Sequence, residues 1–245
     1  MNRGSHLLCA MALLLFACSG CANSPGRPAA DAIPIDPEDI SNFDFLFAHN
    51  CAGCHGPDGK GGASIALADP VYLAIADDSA LRTATTKGVA GTLMPAFAKT
   101  AGGMLTDQQI DVIVRGIREH WSKPDALHGE NVPPYSAPNP GDASHGSVVF
   151  SAYCSSCHGP DGRGGPRAGS IVNGSYLALV SNQNLRTTVI VGRPELGAPD
   201  WRGNVPGKPM SSQDISDVVA WLAAQRTKYP GQPYPHSEKS VGELR

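Results

Sequence analysis

The stretch CAGCHGPDGKGG (Cys51–Gly62) returns as CSSCHGPDGRGG (Cys154–Gly165), and this recurrence organises the reading of the whole chain. Two cysteines three positions apart, followed by a histidine, form the attachment sequence for a c-type haem. The thiols of Cys51 and Cys54, or of Cys154 and Cys157, add to the two vinyl groups along one porphyrin edge, and His55 or His158 reaches the iron from the same side. Two other readings compete. Zinc takes four ligands at close range, so the two pairs, 103 residues apart, would have to be brought together by the fold. A redox dithiol usually follows a strand in a βαβ pattern, and none precedes either motif. That both copies run on as HGPDG favours haem over either alternative.

Self-comparison extends the repeat. Cys51 pairs with Cys154 and His55 with His158 at an offset of 103. Tyr72–Ala74 pairs with Tyr176–Ala178, and Leu81–Thr83 with Leu185–Thr187, at 104; Thr106–Ile117 pairs with Ser211–Leu222 at 105. The chain is therefore two copies of one unit of about 100 residues, an ordinary small-domain size. In each copy a short helix leads into the motif, carrying Phe43, Leu46 and Phe47 or Val149, Phe150 and Tyr153. A Gly-rich loop follows. Each copy closes on a helix opened by a capping signature, Thr106 with Gln109 and Ser211 with Asp214. The spacing predicts that this helix buries Ile110, Ile113, Val114 and Ile117 in the first copy, and Ile215, Val218, Val219 and Leu222 in the second. Nothing between motif and closing helix alternates as a strand would, so the fold class expected is all-α with much loop.

The N-terminus reads MNRGSHLLCAMALLLFACSGC (Met1–Cys21): Arg3, an apolar run from Leu7 to Ala17, then small residues before Cys21. This is an export signal, too short for a durable transmembrane helix. Its end resembles a lipobox, with Ser19 and Gly20 before Cys21 and Cys18 standing where leucine is usual. A bacterial lipoprotein carrying lipid on Cys21 is expected; an ordinary secretory signal cut nearby is the alternative. Of seven cysteines, Cys9 and Cys18 leave with the signal, Cys21 takes lipid and four take haem. None remains for a disulfide, so stability rests on cores built around cofactors. Signal and haem motifs agree on the periplasmic side of a bacterial membrane. The organisation expected is signal 1–20, tether 21–37, first domain 38–121, Pro-rich linker 122–141, second domain 142–226 and tail 227–245. Prolines 133, 134, 138 and 140 favour an extended linker lying along either domain. A net charge of −3 with scattered Lys and Arg argues against nucleic acid as a partner.

A CxxCHG motif after a short helix, a loop holding LMPAF (Leu93–Phe97) and a capped closing helix together resemble the class I cytochrome c family. The resemblance covers the chain twice. It implies two tandem class I cytochrome c-like domains, each helical around one covalently attached haem, so that two haem c irons are held by His55 and His158. It also implies a methionine sulfur on the opposite face of the iron, a pairing that raises the reduction potential. Met94, followed by Pro95 and 39 residues after His55, matches the family's Met-Pro loop. Met104, two residues before the helix cap, reads as an apolar plug. In the second copy Ala198 aligns with Met94, and alanine cannot ligate iron. Three readings stay open there: Met210 through a rearranged loop, a histidine, or an open sixth site. Met210 is the ligand expected. His145 starts the preceding helix and faces away from the distal side, and His120, His128 and His236 fall in or near flexible segments. Trp201, aligned with Phe97, reads as a haem-packing aromatic, Asp58 and Asp161 as turn residues, and Lys60 and Arg163 as solvated. Arg82 and Arg186 occupy equivalent positions and are candidates for the haem propionates.

Electron transfer is the function these features imply: single electrons relayed between respiratory redox partners, with no catalytic constellation beyond the axial ligands. Membership of a larger electron-transfer complex is compatible with this. The alternative is a haem enzyme or ligand sensor with an open sixth site at the second haem. Different ligation in the two copies further implies different potentials.

Overall fold

The structure, a computed structural model, describes residues 34–127 and 129–227. Cys21 with the export signal, His128 and His236 lie outside the described residues. A short N-terminal piece carries one 3-10 turn at Pro37–Asp39, and the chain from Ile40 onward forms one compact unit.

In that unit the first copy holds α1 (Phe43–Asn50), α2 (Ala52–His55), α3 (Pro70–Ile75), α4 (Asp78–Lys87) and α5 (Asp107–Trp121). The second repeats the order with α6 (Ala143–Tyr153), α7 (Ser155–His158), α8 (Gly174–Ala178), α9 (Asn182–Val191) and α10 (Ser212–Ala224). No strand occurs among the described residues, only isolated bridges such as Ala98–Leu105 and Arg193–Ala198. The fold is all-α, as expected.

Except for the single turns α2 and α7, each helix starts on a side-chain cap. Asn42, Asp69 and Asp77 in the first copy, and Asp142, Asn173 and Ser181 in the second, accept from first-turn N–H groups that would otherwise lack partners. Both expected capping boxes are present at Thr106/Gln109 and Ser211/Asp214. The closing helices bury the eight aliphatic residues named from periodicity. Each such side chain stabilises the fold by about 1.5–3 kcal/mol.

The closing helix packs on the helix before the motif in both copies, but with large and small residues exchanged. Phe43 of α1 lies over Gly116 of α5, where a Cβ would stand 2.1 Å from the Phe43 ring. The residues aligned with these are Gly146 and Trp221. A Cβ on Gly146 would meet the Asp217 carbonyl oxygen at 2.0 Å and the Trp221 Cβ at 2.8 Å. The indole of Trp121 reaches Gly59 in the first copy; that of Trp221 reaches Gly162, the aligned glycine, and stacks on Phe150 with ring centres 4.4 Å apart.

The Pro-rich linker is bound to the second copy. The Tyr135 carbonyl accepts from Gln183 at 2.8 Å and from Arg186 at 3.1 Å, and the Pro140 carbonyl accepts from Gln213 at 3.1 Å. One continuous buried cluster includes Phe47, Tyr72 and Ile113 from the first copy and Phe150, Ile190, Trp201 and Ile215 from the second. A smaller cluster, Leu177, Leu185, Val219 and Leu222, lies in the second copy.

Candidate haem sites

Cys51 ends α1, and α2 is a single turn that carries Cys54 and His55. The Cys54 and His55 amides donate to the Cys51 carbonyl at 3.2 and 3.0 Å, so the two cysteines sit three apart on one helical turn and share a face. The Cys157 and His158 amides donate to the Cys154 carbonyl at 3.1 and 3.0 Å and repeat the arrangement.

The loop after each motif folds back and meets the histidine. His55 Nδ1 lies 2.8 Å from the Ile65 carbonyl oxygen, and His158 Nδ1 lies 2.9 Å from that of Gly169. A carbonyl can only accept, so each Nδ1 carries a proton and Nε2 is the ring nitrogen left for a metal. His55 is 7% exposed, and burial lowers its pKa, which keeps the imidazole neutral. The fold-back is why the motif runs on into glycines. Gly56 and Gly159 have φ of +84° and +78°, and a Cβ on them would lie 1.9 Å from the Lys60 carbonyl oxygen and 2.3 Å from that of Gly164. At Gly62 and Gly165 a Cβ would lie 2.1 and 2.5 Å from the Cys54 and Cys157 carbonyl oxygens.

Burial, with the neighbouring cysteine adding to it, pushes the Cys51 thiol up to about 12 and the Cys154 thiol up to about 11. Among the described residues no cluster of three or more His, Cys, Asp and Glu side chains is placed to hold a metal ion. Paired thiols on one turn, a neutral imidazole offering Nε2 and loops trimmed to glycine fit a covalently bound haem. When bound, that group supplies a reversible one-electron change at iron.

In the loop before the closing helix the copies diverge. The Val89 amide donates to the Met94 carbonyl at 3.1 Å, and Gly88, at φ +69°, permits the close approach of the Met94 carbonyl. The Arg193 amide donates to the Ala198 carbonyl at 2.9 Å, and Gly192, at φ +72°, plays the same part. Ala198 therefore stands in the place of Met94 in space as well as in sequence. The Met210 amide donates to the Trp201 carbonyl at 3.0 Å, as the Leu105 amide does to Phe97 at 2.8 Å. Met210 is 2% exposed and Leu105 5%. Met210 thus takes the register of Leu105. Met104 is 80% exposed.

Arg82 and Arg186, the candidates for the haem propionates, are engaged by protein partners. Arg82 pairs with Asp107 at 3.7 Å and with Asp111. Arg186 is 2% exposed and donates to the Pro134 and Tyr135 carbonyls and to the hydroxyls of Ser212 and Ser216. Ser212 and Ser216 are the residues aligned with Asp107 and Asp111. The linker covers Arg186, and there neutral hydroxyls and carbonyls stand where carboxylates pair with Arg82. Trp201 is buried with the Arg202 guanidinium 4.7 Å above its ring, and Arg163 pairs with Asp161 at 3.3 Å on the surface. His145 Nδ1 lies 2.7 Å from Asp217 Oδ2, on the helix crossing.

Two features lay outside the sequence reading. Arg118 of α5 donates to the Leu73 and Ala76 carbonyls and pairs with Asp78 at 2.6 Å. Arg226 does the same for Leu177 and Val180, at 3.1 and 2.7 Å, from a position one turn further along than alignment predicts. Arg193, in the second copy's distal loop, donates through Nη2 to the Gly62 carbonyl of the first motif at 3.2 Å.

Comparison with known proteins decides the family. The family described as cytochrome C oxidase, cbb3-type, subunit III matches residues 38–115 and 141–222, more than half of the chain. The chain belongs to this family. It is a c-type cytochrome of two tandem cytochrome c domains that carries two covalently bound haem c groups and works in electron transfer. The Cbb3-type cytochrome c oxidase subunit CcoP of Rubrivivax gelatinosus is similar, at 31% identity over 142 residues, which is 58% of this chain and 41% of that one. The chain thus spans less than half the length of that relative. Among solved structures, a chain of the reducing HAO-like protein complex of Kuenenia stuttgartiensis is similar at 16% identity and a TM-score of 0.44, covering 80% of this chain and 100% of that one. The thiosulfate dehydrogenase TsdBA of Marichromatium purpuratum is similar at 18% identity and a TM-score of 0.30, covering 87% of this chain and 52% of that one.

Proposed function

We propose that this chain relays single electrons between respiratory redox partners on the periplasmic side of a bacterial membrane, held there by lipid on Cys21, as a subunit of a larger electron-transfer complex. One observation carries the reading: His55 and His158 each present Nε2 from a loop-anchored ring, and the two motif-bearing copies share one buried core. Two centres fixed in a common body suit passage of electrons through the molecule. Similarity to a subunit named as part of a cbb3-type oxidase supports the complex. In this reading Cys51, Cys54, Cys154 and Cys157 hold the haems, His55 and His158 are the proximal ligands, and Met94 is the distal ligand of the first iron. No helix among the described residues is long and apolar enough to cross a membrane.

The test is a reductive titration of the holoprotein, followed by stopped-flow mixing with an oxidised soluble cytochrome. Uptake of two electrons per chain and delivery of both to the acceptor is expected. A chain that takes up electrons but passes none to one-electron acceptors, while consuming a chemical substrate, would overturn the proposal. Mass spectrometry of the mature N-terminus tests the tether: a lipidated Cys21 at the first position is expected, and any other start refutes it.

A further inference from the structure

The two distal loops can be compared residue by residue. Leu105 and Met210 receive the same hydrogen bond, from amide to aromatic-residue carbonyl, immediately before the same helix cap, and both are buried. In the first copy a buried plug, Leu105, coexists with the loop methionine, Met94. In the second copy the plug position holds methionine and the loop position holds alanine. Met210 is 2% exposed, and Asn204 Nδ2 lies 4.0 Å from its sulfur.

The loop bearing Ala198 is closed on itself. The Arg193 amide donates to the Ala198 carbonyl at 2.9 Å and the Ala198 amide donates back to the Arg193 carbonyl at 3.0 Å, while the Leu196 amide donates to the Arg193 carbonyl at 2.8 Å. Opening it to bring Met210 forward would break these bonds and expose an apolar side chain. The histidines offer no substitute among the described residues. His145 is bound to Asp217, and the rings of His49 and His120 stack on Phe45 and Phe43 of α1.

We infer that Met210 is a core plug and that the second haem's distal side, where the loop Gly197–Pro199 carries Ala198 in place of Met94, is a binding site for a small uncharged ligand of the diatomic class. The charge on this loop is already committed. Asp200 pairs with Arg202 at 2.5 Å, and Arg202 also pairs with Glu130 at 3.0 Å. Gly197, Ala198 and Pro199 bring no side chain that gives or takes a proton, so the site suits binding of a neutral ligand and lacks the acid–base groups that O–O bond cleavage uses. The inference rests on attachment of two haems and leaves the direction and partners of electron flow untouched.

The experiment uses the full holoprotein, with haem content per chain confirmed for every variant. EPR of the oxidised form and carbon monoxide difference spectra of the reduced form are recorded for wild type, Met210→Leu, Ala198→Met and Met94→Leu. Wild type is expected to show one high-spin haem and to bind one carbon monoxide per chain. Met210→Leu, which installs the residue that Leu105 provides in the first copy, is expected to leave both readings unchanged. Ala198→Met should abolish carbon monoxide binding, and Met94→Leu should raise it to two per chain. Two low-spin haems and no carbon monoxide uptake in the wild type overturn the inference, as does a second haem that becomes high-spin only in Met210→Leu. Failure of the electron-carrier reading is separately visible, because it appears in electron delivery and not in spin state.

Discussion

Asp217 illustrates how a single buried carboxylate ties the second copy together. Its oxygens accept from the Asp142 amide at 2.8 Å, from Gln213 at 2.8 Å and from His145 at 2.7 Å. Burial raises its pKa, but those hydrogen bonds outweigh burial and hold it below the ordinary 3.8, while the bond to Asp217 lifts His145 above 6.5. The carboxylate's contribution to stability is therefore present above about pH 4 and lost as pH falls through the depressed value. The histidine's contribution is complete below about pH 6.5 and lost as pH rises through the raised value. Denaturant unfolding across this range should show a maximum between the two limits, flattened on the alkaline side by His145→Gln. Asp217→Ala should cost about 1–3 kcal/mol near pH 5, since it removes three hydrogen bonds accepted by one charged carboxylate. At this scale the covalent site was legible, because haem attachment fixes residue types at fixed spacing. The carbonyls of Ile65 and Gly169 were not, because a backbone oxygen has no residue identity to read. Arg186 is a related case: alignment matches it with Arg82, but its environment is set by Ser212, Ser216 and the Pro134 and Tyr135 carbonyls of the linker.

Among the elements, the paired crossings of α1 with α5 and α6 with α10 show one geometry satisfied by two side-chain solutions. Phe43 over Gly116 and Gly146 beside Trp221 keep a bulky side chain on one helix and none on the other. Gly116→Trp alone should destabilise by about 1–3 kcal/mol, because the new side chain enters space held by the Phe43 ring. Adding Phe43→Gly should restore part of that loss, giving a favourable coupling in a double-mutant cycle read by urea unfolding. No restoration would mean that the crossing angle differs between copies. The closing helices were readable from their capping residues and 3.6-residue period. Helices α3, α4, α8 and α9 were not, since each has 10 residues or fewer and the shortest has 5. Their starts depend on single caps, and their positions on Arg118 and Arg226, which reach them from distant sequence.

For the whole molecule, the Pro-rich segment shows why composition alone understates order. Its backbone presents carbonyls, and Arg186, Gln183 and Gln213 supply the donors. Arg186→Met should cost on the order of 2–3 kcal/mol through lost charge-assisted hydrogen bonds. The same variant should speed limited proteolysis within 122–141, seen as two fragments that each retain haem absorbance; an unchanged cleavage rate would assign the linker's order to its prolines. The burial of Cys51 and Cys154 bears on biogenesis. Cys51 is 9% exposed and Cys154 is half-buried, each at the C-terminal end of its helix, so thioether formation is expected on the nascent, still-open chain. Folding and cofactor attachment then become one event, and a chain exported without the attachment machinery should collapse into a form that later-added haem does not label, which haem-stained electrophoresis would detect. Because the two copies share a core, a chain that misses one haem carries the defect into the other half, and quality control of both centres becomes a property of a single folding step.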